Sequence, residues 1–226
     1  MGKYKYLFLD IDDTILDFKK CEKNAISKTI EKYGLTATEE LIETYSDINQ
    51  GLWKAFERKE ITKPELLTKR FDMFFSKLGV EINPDEVNYN YLTYLSEEVF
   101  LIDNAVKLLD NLKGKLKIYV LTNAVKRVQE RRLEKSGLNK YFDEVFISEV
   151  VGYQKPDVRF YEKVYEMIGN PNKNEIIVLG DSLTSDIQGG INFGVDTCYF
   201  NPHNKEGKIK PTFEIDCLMK FIDIID

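Results

Sequence analysis

The chain has 226 residues, 43% of them apolar and 31% charged, with a formal charge of −6. A chain of this length buries a core without disulfides, and its acidic balance disfavours a nucleic-acid groove or an anionic membrane surface as the main partner. Glycine and proline are sparse, which excludes collagen-like and low-complexity classes, and Cys21, Cys198 and Cys217 lack the number and spacing of a disulfide framework or a zinc site.

The opening residues run straight into a short apolar stretch ending at Asp10, which fits no signal peptide. No apolar run approaches the ~20 residues of a membrane span. The chain is therefore read as soluble and cytoplasmic. Four apolar runs without alternation predict buried parallel strands over Tyr6–Leu9, Ile118–Leu121, Ile176–Leu179 and Thr197–Phe200. Val145–Ile147 is a weaker fifth. Helical stripes separate them: Val125, Val128 and Leu133 up to Gly137, then Phe160, Val164 and Ile168 up to Pro171, then Ile187 and Ile191 up to Gly194. Strands and helices alternating in this way predict a doubly wound α/β parallel sheet.

Residues 16–99 read differently. They hold no convincing strand but several helix starts. Thr36 to Glu39 and Thr62 to Glu65 match capping boxes, and Asn83-Pro84-Asp85-Glu86 combines an N-cap with proline at the first helical position. So much helix directly after a first strand far exceeds an ordinary βα connection. The expectation is an all-helical domain over 16–99, inserted into an α/β core made of 1–15 and 100–226. Its aromatics Phe71, Phe74 and Phe75, at helical spacing, are expected in its core, as are Trp53 and Phe56. Lys19, Lys20, Lys23, Lys28 and Lys32 are expected on a solvated face.

The chemistry sits at the strand ends. The first strand runs into Asp10-Ile11-Asp12-Asp13-Thr14, the second into Thr122-Asn123, and the fourth into Gly180-Asp181-Ser182, with Asp186 a turn later. Lys155, after the weak strand, belongs to the same edge. Ligands of open α/β sheets bind outside the carboxyl ends of the strands, so three distant segments are expected to form one site. Only one histidine, His203, is present, which leaves carboxylates, hydroxyls and lysines to do the work. Asp10, Asp12, Asp181 and Asp186 in one cleft need neutralising, and hard oxygen donors without His or Cys point to Mg²⁺. Asp10 can attack an electrophile while Asp12, two residues on, exchanges a proton with the leaving group or with water. A carboxylate nucleophile splits phosphoryl transfer into two easier steps through an aspartyl-phosphate. Thr122, Asn123 and Lys155 would supply donors to the phosphoryl oxygens.

Together, Leu9 to Thr14, Leu121-Thr122-Asn123, Lys155-Pro156 and Gly180 to Asp186 resemble the four motifs of the haloacid dehalogenase-like hydrolase superfamily, in order. The resemblance implies roles. Asp10 would be nucleophile and metal ligand, and Asp12 the general acid/base with its backbone carbonyl on the metal. Thr122 and Lys155 would hold the phosphoryl group. Asp181 would ligate Mg²⁺, and Asp186 would support it directly or through water. The helical insert resembles the family's substrate-selecting cap. Asp12 favours a phosphate ester over a haloacid as substrate. The stretch from Phe200 to Asn204 and Lys210 to Ile215, with Gly180 to Gly194, is similar to bacterial pyrimidine 5′-nucleotidases of this superfamily. A nucleoside monophosphate is the expected small-molecule partner, with no nucleic-acid polymer and no membrane. A sugar-phosphate phosphatase, a phosphoglucomutase-type enzyme and a non-catalytic phospho-accepting regulator share these features. His203 is expected to be an exposed loop residue.

Overall fold

The computed structural model describes residues 2–226. Its strands are β1 (Tyr6–Leu9), β2 (Lys117–Thr122), β3 (Glu144–Ile147), β4 (Ile176–Gly180), β5 (Asp196–Phe200) and β6 (Phe213–Ile215). Its helices are α1 (Phe18–Lys32), α2 (Glu39–Glu57), α3 (Lys63–Lys77), α4 (Pro84–Glu97), α5 (Ala105–Leu112), α6 (Lys126–Ser136), α7 (Ser148–Val151), α8 (Val158–Met167), α9 (Gln188–Phe193) and α10 (Ile222–Ile225).

The strands pair in parallel in the order β3-β2-β1-β4-β5-β6. This is the doubly wound α/β sheet the apolar runs predict. Leu7, Phe8 and Leu9 are fully buried, because both faces of the central strand are covered, which explains the missing alternation. Phe8 packs on one face with Tyr119, Tyr161 and Phe193, while Leu7 and Leu9 point to the other. Leu9 registers with Val120 on one side and Leu179 on the other. The residues that follow these three strands therefore emerge at one level.

Three details differ from the sequence reading. β6 is an added edge strand that its three residues were too short to announce. Ile191 is 42% exposed, so α9 packs through Gly189, Gly190 and Phe193 instead. A Cβ on Gly190 would come within 2.5 Å of Thr197, so the glycine permits close approach of helix to sheet. The third is a cap: α2 begins at Thr38, whose side chain accepts from the Leu41 N–H, rather than at Thr36. The Thr62–Glu65 capping box and the Asn83 cap form where expected.

The chain forms two compact units, one from the residues up to Asp17 together with Leu101–Asp226, the other Phe18–Phe100. In the first unit, the segments that leave and re-enter run side by side: Leu16 bridges Leu101, and the Ile102 N–H donates to the Ile15 carbonyl at 2.9 Å. The second unit is all helical, α1 to α4. Tyr45, Phe71, Phe74, Phe75 and Tyr91 are fully buried in it. Arg70, 2% exposed, lies over the Phe71 and Tyr91 rings and donates to Asn49 Oδ1 and Asn88 Oδ1. Its charge is thereby kept hydrogen-bonded inside an apolar core.

Candidate active site

The chain leaves β1 at Asp10, whose N–H still donates to the Leu179 carbonyl at 2.9 Å. It then turns sharply. Asp13 sits in the left-handed region at φ 58°, and the Ile15 and Leu16 N–H groups both return to the Ile11 carbonyl. A non-glycine residue held there stores backbone strain, a common feature of functional loops. The turn brings the Thr14 hydroxyl back to Asp10 Oδ2 at 3.0 Å.

Lys155 is the hub. Its Nζ donates to Asp10 Oδ1 at 2.6 Å, to Asp186 Oδ1 at 2.7 Å and to the Leu121 carbonyl at 2.7 Å, so all three ammonium protons are used. Asn123 clamps Lys155 in place. Its amide donates to the Lys155 carbonyl and accepts the Lys155 N–H, each at 3.0 Å. The side chain expected on substrate phosphate is thus committed to positioning the lysine. Thr122 is 2% exposed, and its hydroxyl oxygen accepts the Ala124 N–H at 3.0 Å.

After β4, the chain enters one π-helical turn, Leu183–Ile187, a geometry frequent at functional sites. It carries Asp186 back against β4, where the Ser182 N–H donates to Asp186 Oδ2 at 3.1 Å. Gly180 makes room: a Cβ there would lie 2.3 Å from the same carboxylate. Carboxylate oxygens of Asp10, Asp181 and Asp186 all lie within 4.8 Å of one another.

Three carboxylates, those of Asp10 and Asp186 buried and that of Asp181 half-buried, against one ammonium form an unbalanced site. Burial, reinforced by Asp186, pushes Asp10 up to about 7, against the pull of Lys155. Burial and the charges of Asp10 and Asp186 push Asp181 well above the ordinary carboxylate range. Burial by itself would lower Lys155, but Asp10 and Asp186 more than reverse this and hold it above the usual lysine value. Two net negative charges on hard oxygens, with no nitrogen or sulfur donor among them, suit a small divalent cation.

Asp12 does not join this group. Its carboxylate is turned to Arg132 Nη1 at 2.5 Å, and Arg132 is itself 1% exposed and also donates to Gln129 Oε1 at 3.3 Å. The alternation that would set Asp10 and Asp12 side by side holds for an extended segment, whereas this one bends at Asp13. Of the expected metal residues, the three clustered carboxylates are Asp10, Asp181 and Asp186. Arg132 and Thr14 escaped the sequence reading. Arg132 stands amid Arg127, Glu130, Arg131 and Glu134 and resembles a solvated face. The available signal was its position four residues after buried Val128 and beside buried Leu133. His203 is exposed, in a loop stitched by Asn201 to the Lys205 backbone and to Glu214.

A family model described as haloacid dehalogenase-like hydrolase matches residues 4–194, a span that holds the three clustered carboxylates, Asp12 and Lys155. The chain belongs to this family. It is 37% identical over 228 residues to the HAD-hydrolase YfnB of Bacillus subtilis, covering 100% of this chain and 97% of that protein. A crystal structure of YfnB bound to magnesium superposes with a TM-score of 0.94, covering 98% of each chain. The pyrimidine 5′-nucleotidase PynA of Streptococcus pneumoniae is 38% identical over 226 residues, covering 99% of this chain and 95% of PynA. The pyrimidine 5′-nucleotidase YjjG of Escherichia coli is 34% identical over 218 residues, covering 96% of this chain and 95% of YjjG.

Proposed function

We propose that this HAD hydrolase is a Mg²⁺-dependent phosphomonoesterase that works through an aspartyl-phosphate and takes pyrimidine nucleoside 5′-monophosphates. The observation that carries the chemistry is the buried Asp10 at the carboxyl end of β1, held by Lys155 and Thr14, with Asp12 two residues on and paired to Arg132. The substrate class is supported by the likeness to PynA and YjjG over nearly the whole chain.

An Asp10 carboxylate oxygen attacks phosphorus, and the ester oxygen leaves with a proton from Asp12. Water, giving its proton back to Asp12, then attacks the aspartyl-phosphate and releases inorganic phosphate and free Asp10. Lys155 supplies a fixed positive charge beside the nucleophile and needs no reorganisation as charge develops. Thr122 is assigned to the phosphoryl group with it. Asp10, Asp181 and Asp186, with the Asp12 backbone carbonyl, would hold Mg²⁺, which supplies electrostatic stabilisation of the phosphoryl oxygens. The helical unit is assigned the choice of substrate. Among the described residues no helix is long and apolar enough to cross a membrane, and we read the enzyme as one of small cytoplasmic esters.

The test is phosphate release, with Mg²⁺ and with chelator, across UMP, dUMP, dTMP, purine monophosphates and sugar phosphates. Mg²⁺-dependent preference for the pyrimidine nucleotides is the expected result. Preference for sugar phosphates would replace the substrate class, and full activity in chelator would reject the metal.

A further inference from the structure

The sheet carries a second polar feature at its other edge, where β1 and β2 begin. A cleft of about 520 Å³ opens there, a size within the roughly 300–1,000 Å³ of small-molecule sites. Five lysines line it, Lys5, Lys113, Lys115, Lys117 and Lys140, in a chain whose formal charge is −6. Lys5 is paired with Glu175 and Lys115 with Asp226. Lys113, Lys117 and Lys140 have no acidic partner among the described residues. The acid in the lining, Asp143, already accepts the Ile118 N–H at 2.8 Å.

Two of these lysines, Lys113 and Lys140, stand against a fixed ring. Tyr141 donates its hydroxyl to Asp110 at 2.7 Å, and the Lys113 and Lys140 ammoniums stand 5.8 and 4.9 Å from its ring centroid. Ammonium groups gathered this way repel one another unless an anion joins them. Lysine binds phosphate as a point charge, so three lysines suit a ligand with several adjacent phosphoryl groups. Tyr6 and Phe142, both half-buried, line the same cleft, and aromatic side chains can stack nucleobases. Lys5 and Asp10 bracket β1, so along the extended strand this cleft and the carboxylate cluster lie ~16 Å apart. We propose that the Lys113/Lys117/Lys140 cleft is a second ligand site, one that binds the di- or triphosphate chain of a small phosphorylated molecule. This inference does not depend on the phosphatase reading.

The experiment is calorimetric titration of the full chain in chelator with two probes, inorganic tripolyphosphate and ATP. Chelator matters because the metal-free carboxylate cluster repels anions, which leaves the basic cleft to report. Saturable one-to-one binding is expected, weakening as salt is raised. Combining Lys113→Gln, Lys117→Gln and Lys140→Gln should weaken it at least about tenfold, since three exposed charge contacts are lost together. These side chains are exposed, so the unfolding temperature should stay near wild type. Lys117→Glu alone should weaken binding too. A control combining Lys126→Gln, Lys163→Gln and Lys220→Gln, all exposed lysines paired with acids elsewhere, should leave binding unchanged. ATP binding tighter than tripolyphosphate would assign a nucleotide, and equal affinities a bare polyphosphate chain. Absence of saturable binding of either probe into the millimolar range, or equal loss in the control, overturns the proposal.

Discussion

Asp10 is buried with its two oxygens committed to different donors, Lys155 and Thr14. Such a carboxylate is aimed before any substrate arrives, and its replacement is therefore diagnostic. Asp10→Asn keeps the size but turns one of the two acceptor oxygens into an NH2 donor, and it removes the proposed nucleophile. Phosphate release should be abolished while the far-UV circular dichroism is unchanged; near-normal turnover in a pure preparation would sink the aspartyl-phosphate route. Asp12→Asn should slow turnover by roughly 10²–10⁴, the usual range for general acid/base work. The loss should be greatest for esters with poor leaving groups, and equal rates on good and poor leaving groups would remove Asp12 from that role. Residue identities made both aspartates visible in the sequence. Arg132 was not visible, because a buried cation on a helix rich in exposed charge differs from its neighbours only in which way it faces.

Elements decide which of these groups meet. The parallel register places the ends of β1, β2 and β4 at one level, so Asp10 and Asp181 come together although they lie far apart in sequence, and Thr122 ends the neighbouring strand β2. The π-helical turn after β4 then folds Asp186 back over Gly180. Gly180→Ala would drive a methyl group into the Asp186 carboxylate, so that turn must shift. Unfolding by urea should show a loss of about 1–3 kcal/mol, the range for overpacking a tight site, and Mg²⁺-supported turnover should fall with it. Unchanged stability and activity would show that the turn is softer than its contacts imply. Strand and helix periodicity announced β1, β2, β4 and β5, because continuous apolar runs are the signature of strands covered on both faces. The three-residue β6 and the unusual turn at Leu183 lacked any periodic signal, being too short to repeat.

At the scale of the whole molecule, folding gathers negative charge that the unfolded chain keeps dispersed. Asp10 rises from its ordinary 3.8 to about 7 in the folded chain, chiefly through burial. An acid whose pKa is raised by folding adds stability below its unfolded value and loses it as pH climbs through the folded one. In chelator, the unfolding temperature should therefore decline between about pH 4 and pH 7 by more in the wild type than in Asp10→Asn. Mg²⁺ should reduce that decline by offsetting the same charge. Parallel slopes for the two proteins in chelator would show that Asp10 does not carry this penalty.

Five of the six strands, the helical character of the residues between the first strand and Phe100, and the residue types of the site were legible in the sequence. Local chemistry sufficed for these: apolar runs, caps and carboxylates at strand ends are all written within a few neighbouring residues. The partnerships between side chains come only from the folded arrangement. Asn123 serves Lys155, Asp12 turns to Arg132, and Lys113 and Lys140 meet at the Tyr141 ring, in a cleft that Lys117 also lines. Each depends on the direction in which a side chain leaves its element and on segments brought together across many residues, and no local pattern encodes those directions.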